Sequence, residues 1–175
     1  PFSWASGKVA LQGIMHKKYR IEHSDKMIKR HRFHDYIQEQ FNYCSSLYLS
    51  SLKGSGKTYA IYSYIHEYYK DHYAYIQLDE QDNDYDLFIK HYQQALSYSS
   101  YDLLVFDSFE VITNKQVLDD IKNIIKYNEI RIILISSHEL IKEYYDLVSY
   151  NHLRLLEHIP LFYDKNEILR LCKLY

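Results

Sequence analysis

The amino-acid sequence predicts an α/β fold, a parallel sheet with helices on both faces. Two observations carry that expectation. Strand-like and helix-like segments alternate along the whole chain. The strand-like segments are continuous apolar runs rather than alternating ones, as strands covered on both faces must be. A third observation narrows the class. At residues 49–65, LSSLKGSGKTYAIYSYI, an apolar run stops at two serines, passes through a short loop with two glycines and opens directly into a helical pattern.

The elements follow in order. Residues 1–24 are weakly patterned and read as an irregular lead-in; residues 25–175 read as a single domain. Between Asp25 and Phe41, Phe33, Tyr36, Ile37 and Phe41 recur on one helical face. CSSLYLS (44–50) is a strand candidate, and Lys57 to Asp71 a helix with Ile61, Tyr64, Ile65 and Tyr68 turned inward. YAYIQL (73–78) reads as a strand and 84–98 as a helix with Phe88, Tyr92 and Leu96 inward. DLLVFD (102–107) is an apolar strand ending in an acid. Val117, Leu118, Ile121, Ile124 and Ile125 mark the next helix, and IRIILIS (130–136) the next strand. A helix is expected from about His138, a short strand near 152–156 and a last helix from about Asp164.

Bulk properties exclude several classes. The 175 residues suffice for one full core, and 47 % apolar with 25 % charged residues is ordinary for a globular chain. A net charge of −2 leaves no basic footprint for nucleic acid. Cys44 and Cys172 form neither a disulfide framework nor a metal motif, which fits a reducing compartment. No apolar run has the length of a membrane span, no signal peptide is evident, and a cytoplasmic location is expected. The 21 tyrosines are spread along the chain, so they read as packing residues rather than as a binding stripe.

The loop carries the chemistry. Phosphates need converging backbone N–H donors with no Cβ in the way, followed by a helix N-terminus. Gly54 and Gly56 supply the open backbone, with Ser55 and Tyr59 beside them. Lys57 would reach the β- and γ-phosphates, and the Thr58 hydroxyl would ligate Mg²⁺. Ser51 stands where the usual GxxxxGKT has its first glycine. The bland reading is a chance GSGKT in a surface loop; the strand before it and the helix after it argue against that. In DLLVFDSFE, Asp107 ends a buried strand at the sheet's ligand-binding edge, where it would hold the metal through water; the alternative is a cap. The next residue is Ser108, where hydrolytic relatives usually carry a second acid. Glu110 is the candidate substitute, although on an extended chain it would face the side opposite Asp107.

Three further motifs stay open or fall away. In RIILISSHEL, Ser136 reads equally as a polar contact to the γ-phosphate or, with Glu139, as a helix capping box. Arg30 and Arg32 in KRHRFHDYI either contact the nucleotide or begin a solvated helix. The acidic LDEQDNDYD lacks the glycine and glutamate spacing of a calcium loop and reads as caps for the following helix.

These motifs, in this order, resemble the nucleotide-binding core of the large LuxR-type (maltose-activator-like) transcriptional activators, STAND-class signal-transduction P-loop ATPases. The most specific stretch is YIQLDEQDNDYDLFIKHYQQAL after the second strand. KRHRFHDYI, SSLKGSGKT, LLVFDSFEVITNKQVLDDI, IRIILISS and LEHIPLFYDKNEILRL are similar to the family's arginine-bearing first helix, Walker A, Walker B, sensor strand and closing segment. The resemblance covers roughly residues 25–172. It implies a five-stranded, ASCE- or AAA-like P-loop NTPase sheet in which the Walker A and Walker B strands flank the sensor strand. It also implies an ADP/ATP switch that self-associates in the ATP state, with DNA bound only through a domain outside this chain. Two departures stand out: Ser108 replaces the family's second Walker B acid, and Ser136–Ser137 replace its Ser-Arg. The residues that hold nucleotide and metal are kept; those that help break the bond are depleted. The expectation is therefore a nucleotide-binding switch with slow or lost hydrolysis. The alternatives are an ATPase using Glu110 and an interaction module with a vestigial loop.

Overall fold

The computed structural model describes residues 28–70, 72–97, 101–127, 129–156 and 159–174. The expected lead-in over 1–24 lies outside them. Helix α1 (His31–Phe41) leads into strand β1 (Ser46–Ser50), helix α2 (Lys57–Tyr68) and strand β2 (Tyr73–Gln77). A 3₁₀ turn at Glu80–Asn83 opens onto α3 (Tyr85–Leu96), followed by β3 (Leu103–Asp107), a 3₁₀ turn at Phe109–Val111 and α4 (Lys115–Tyr127). Strand β4 (Arg131–Ser136), a 3₁₀ turn at Lys142–Tyr144, α5 (Tyr145–Ser149), β5 (Arg154–Leu156) and α6 (Lys165–Leu174) complete the order.

The five strands lie in the order β2-β3-β4-β1-β5, and every pairing is parallel. Parallel neighbours need crossovers, and the helices supply them, so both faces of the sheet are covered. One face carries Leu47, Leu49, Tyr75 and Val105 against Phe33, Ile37, Ile61 and Tyr64 of α1 and α2. The other carries Tyr48, Ile76, Phe106 and Leu134 against Phe88, Val117, Ile121 and Ile125 of α3 and α4. Burial of each such Leu, Ile or Phe contributes about 1.5–3 kcal/mol, which is why these apolar runs pair in register. β1 and β3 flank β4, so their C-terminal ends and loops stand side by side. The two-residue period then sets the side of each terminal group. Asp107 continues the face of Leu103 and Val105, the α2 face, whereas Ser136 continues the face of Ile132 and Leu134.

One expected element is corrected. No helix starts at His138; the chain runs irregularly to the Lys142–Tyr144 turn and only then enters the short α5. The cause is visible at the His138 carbonyl. It accepts hydrogen bonds from Tyr48 Oη (2.9 Å) and Ser50 Oγ (2.8 Å), both on β1. That fixes the segment across the end of the sheet instead of into a helical turn. α1 spans His31–Phe41 and holds the expected inward positions Phe33, Tyr36, Ile37 and Phe41. Among the described residues no helix is long and apolar enough to cross a membrane.

Candidate functional site

The loop after β1 wraps a cavity of about 500 Å³ at the C-terminal edge of the sheet. Its wall is made by Lys53, Gly54, Gly56, Lys57, Thr58 and Tyr59 from the loop and α2, by Asp107, Ser108 and Glu110 after β3, and by Ile135, Ser136 and Ser137 at the end of β4, with Tyr62 below. Gly54 and Gly56 both adopt φ +83°, the left-handed region that an L side chain enters only with strain. These two positive angles curl the loop back over the start of α2.

The N-terminus of α2 differs from those of the other long helices. α3 is capped by Asp84, whose Oδ1 accepts the Leu87 N–H, and α4 by Asn114, whose Oδ1 accepts the Gln116 N–H. α6 is capped by Asp164, which accepts the Glu167 N–H, and the His31 N–H of α1 is taken by Glu167 Oε1. α2 begins at Gly56 with no side-chain cap. Its first-turn residues Lys57, Thr58 and Tyr59 line the cavity, and a helix start without a cap beside a cavity suits an anion.

Lys57 is almost fully buried, and its ammonium group donates to the Ser51 carbonyl and to that of Leu52 (3.0 Å). Burial lowers its pKa, while the charges of Glu110 and Asp107 hold it up. Thr58 Oγ1 donates to Asp107 Oδ2 at 3.0 Å. The second carboxylate oxygen, Oδ1, accepts the Ser108 N–H at 2.7 Å. A hydroxyl keeps two lone pairs when it donates, so Thr58 can bond Asp107 and still offer oxygen to a cation. One carboxylate, one hydroxyl and the oxygens of a phosphate form the donor set Mg²⁺ accepts. Among the described residues no group of three or more His, Cys, Asp or Glu is placed to hold a metal without such a ligand.

Glu110 requires a correction. Strand alternation would turn it away from Asp107, but β3 ends at Asp107 and Ser108 takes φ +61°, starting the 3₁₀ turn at Phe109. That turn swings Glu110 into the cavity wall, where its carboxylate accepts from Ser137 Oγ (2.6 Å) and the Ser137 N–H (3.1 Å). Burial opposes its ionisation, yet the Ser137 hydrogen bonds outweigh burial and its pKa lies below the usual carboxylate range. Ser136 lines the cavity too, but its Oγ accepts the His138 N–H at 3.0 Å, so it caps a turn rather than the expected helix.

The two arginines part company. Arg30 is buried behind the loop. Its guanidinium donates to the Leu161 carbonyl (2.9 Å) and Tyr163 Oη (2.9 Å) and lies 4.1 Å from the Tyr163 ring centroid. A Cβ on Gly56 would meet Arg30 Nη2 at 3.1 Å, so the arginine backs the loop without lining the cavity. Arg32 is exposed on α1 and is not brought to the cavity. Ser55 sits in the loop with its Oγ accepting from Ser51 Oγ (2.9 Å), which gives Ser51 a structural part in place of the missing glycine.

A family model described as an AAA domain matches residues 45–148, more than half of the chain. The chain belongs to the AAA domain family. The matched stretch runs from just before β1 into α5 and holds Lys57, Thr58, Asp107 and Glu110. No curated protein matches the chain. Among solved structures it is similar to AMPPCP-bound DnaA from Aquifex aeolicus (TM-score 0.47, 19 % identity, 80 % of this chain and 48 % of that one). It is also similar to PCH-2 from C. elegans (TM-score 0.47, 14 % identity, 75 % of this chain and 44 % of that one). The chain thus spans a little under half the length of either.

Sequence reasoning missed the groups behind Asp107. Tyr75 Oη on β2 donates to Asp107 Oδ2 at 2.5 Å, and Tyr62 Oη on α2 donates to Tyr75 Oη at 3.0 Å. Gln77 Nε2 donates to Ser108 Oγ at 2.7 Å. Tyr62 was within reach of the sequence, since it lies four residues after Thr58 on one helix face; Tyr75 was not, because only the β2–β3 register sets it beside Val105.

Proposed function

We propose that this AAA domain is the ATP- or ADP-binding switch of a STAND-type transcriptional regulator, holding its nucleotide with Mg²⁺ and turning it over slowly. The observation that carries the reading is the convergence of the uncapped α2 N-terminus, Lys57, Thr58 and Asp107 on one cavity. Lys57 would exchange the Ser51 and Leu52 carbonyls for phosphate oxygens, a trade of neutral acceptors for charged ones. Thr58 and Asp107 would hold Mg²⁺, which when bound neutralises phosphate charge. The STAND assignment rests on the sequence resemblance, which also supports self-association in the ATP state and DNA contact through a domain outside this chain. Slow turnover rests on Ser108, which leaves no second acid beside Asp107.

One observation favours a second reading, a working ATPase. Glu110 reaches the cavity wall with its carboxylate ionised, so it can orient a water beside a phosphate. Thermal melting with Mg²⁺–ADP and Mg²⁺–ATP, on wild type and Lys57→Ala in parallel, tests the nucleotide site. A ligand that binds only the native state raises apparent stability by about 2.7 kcal/mol at a hundredfold excess over Kd. The expected result is a shift in wild type that Lys57→Ala removes; no shift in either sinks the nucleotide reading and promotes an interaction module.

A further inference from the structure

The carboxylate assigned to the metal is held from behind by a group that belongs to neither the loop nor its own strand. Tyr75 is 1 % exposed, lies on β2 and donates to Asp107 Oδ2 at 2.5 Å. Its phenol is in turn fixed by Tyr62 Oη, and the two rings meet edge to face with centroids 5.3 Å apart. Tyr62 stands one helical turn after Thr58, so the hydroxyl that would ligate the cation and the one that steadies Tyr75 ride on the same helix face. A closed ring of contacts results: α2 to Tyr75, Tyr75 to Asp107 and Asp107 back to α2 through Thr58. A buried tyrosine needs an acceptor for its hydroxyl, but Gln77 Oε1 already offers one at 3.1 Å. The shorter bond to a carboxylate is therefore more than satisfaction of a polar group, because charge-assisted bonds also set direction.

We propose that Tyr75, steadied by Tyr62, is a positioning residue for the metal-binding carboxylate, holding Asp107 Oδ2 toward Thr58 so that the cation finds both oxygens in place. The inference rests on the Mg²⁺–nucleotide reading of the cavity. It assigns a Mg²⁺-dependent function to a tyrosine on a strand that does not itself line the cavity.

The test is binding of a fluorescent ADP analogue in Mg²⁺ and, separately, in EDTA, for wild type, Tyr75→Phe and Tyr62→Phe. Phenylalanine keeps the ring and the packing, and a melting curve on each variant reports the fold. Loss of a partner behind a metal ligand weakens metal affinity by about 10- to 100-fold. Tyr75→Phe is expected to weaken binding about tenfold in Mg²⁺ and to leave binding in EDTA within about twofold. Tyr62→Phe should act in the same direction by about threefold. Equal weakening in Mg²⁺ and EDTA would show a merely structural tyrosine and overturn the proposal, as would no change in either. Wild type that binds equally well with and without Mg²⁺ overturns the metal assignment and this inference with it. Wild type that binds in neither condition overturns the nucleotide reading itself, an outcome distinct from every pattern that separates the variants.

Discussion

Helices α2 and α3 each have 12 residues, and each starts beyond the C-terminal end of a parallel strand. Their first turns are built by opposite rules. At α3, Asp84 caps the helix and Asp79 and Asp82 form a reciprocal capping box on the turn before it, so the local backbone is satisfied within the chain. At α2, two left-handed glycines replace any cap, and Lys57 is folded onto the carbonyls of its own loop. α2 carries no acid within its own first turn, whereas α3 carries Asp86 there, which complements its dipole. One terminus is finished by the chain. The other has no side-chain cap and borders the cavity.

The contrast can be broken or sharpened by substitution. Asp107→Ala removes the carboxylate that would hold the metal and leaves the Tyr75 hydroxyl without its charged acceptor. Affinity for nucleotide in Mg²⁺ should fall about 100-fold or more, beyond what losing a partner behind a ligand costs, as read by calorimetric titration. Glu110→Gln separates binding from chemistry. Any measured turnover should drop about 100-fold, the lower range for a lost general base, while nucleotide affinity stays within about twofold. A turnover that survives in Glu110→Gln would point away from Glu110 as the water-orienting acid.

The smaller effects concern the two termini directly. Gly56→Ala forces a side chain into φ +83° and against Arg30 Nη2, so chemical denaturation should show a loss of about 2 kcal/mol together with a loss of the nucleotide-induced melting shift. Asp84→Ala at α3 should lose about 1 kcal/mol, the usual value of a cap, and keep the whole nucleotide shift. If Asp84→Ala also lost the shift, the two termini would be coupled and the comparison would fail.

Much of the candidate site is legible in the sequence, and the reason is locality. Gly54, Gly56, Lys57 and Thr58 lie within five residues of one loop and helix start, whose conformation is set by its own backbone. Asp107 was legible because a continuous apolar strand must end at an edge, and in an open α/β sheet the C-terminal edge is where ligands bind. The acidic run at 79–84 was legible for the same local reason, and it caps helices as expected. Glu110 was placed on the wrong side because alternation holds only while a strand stays extended, and Ser108 at φ +61° ends that extension one residue after Asp107. The helix expected from His138 failed because β1 claims the His138 carbonyl, a contact between residues 88 and 90 apart in the chain.

By itself, then, the sequence determined the parallel α/β sheet, the phosphate-type loop and the acid that ends β3. Each follows from hydrophobic periodicity or from the conformational freedom of glycine, properties that a short window of residues carries alone. The strand order, the turn that delivers Glu110 to Ser137, the withdrawal of Arg30 behind Gly56 and the phenol behind Asp107 were decided only in the folded chain. Each depends on which strand lies beside which and in what register. That is fixed by the burial of two complete faces at once, a free energy that no single segment holds.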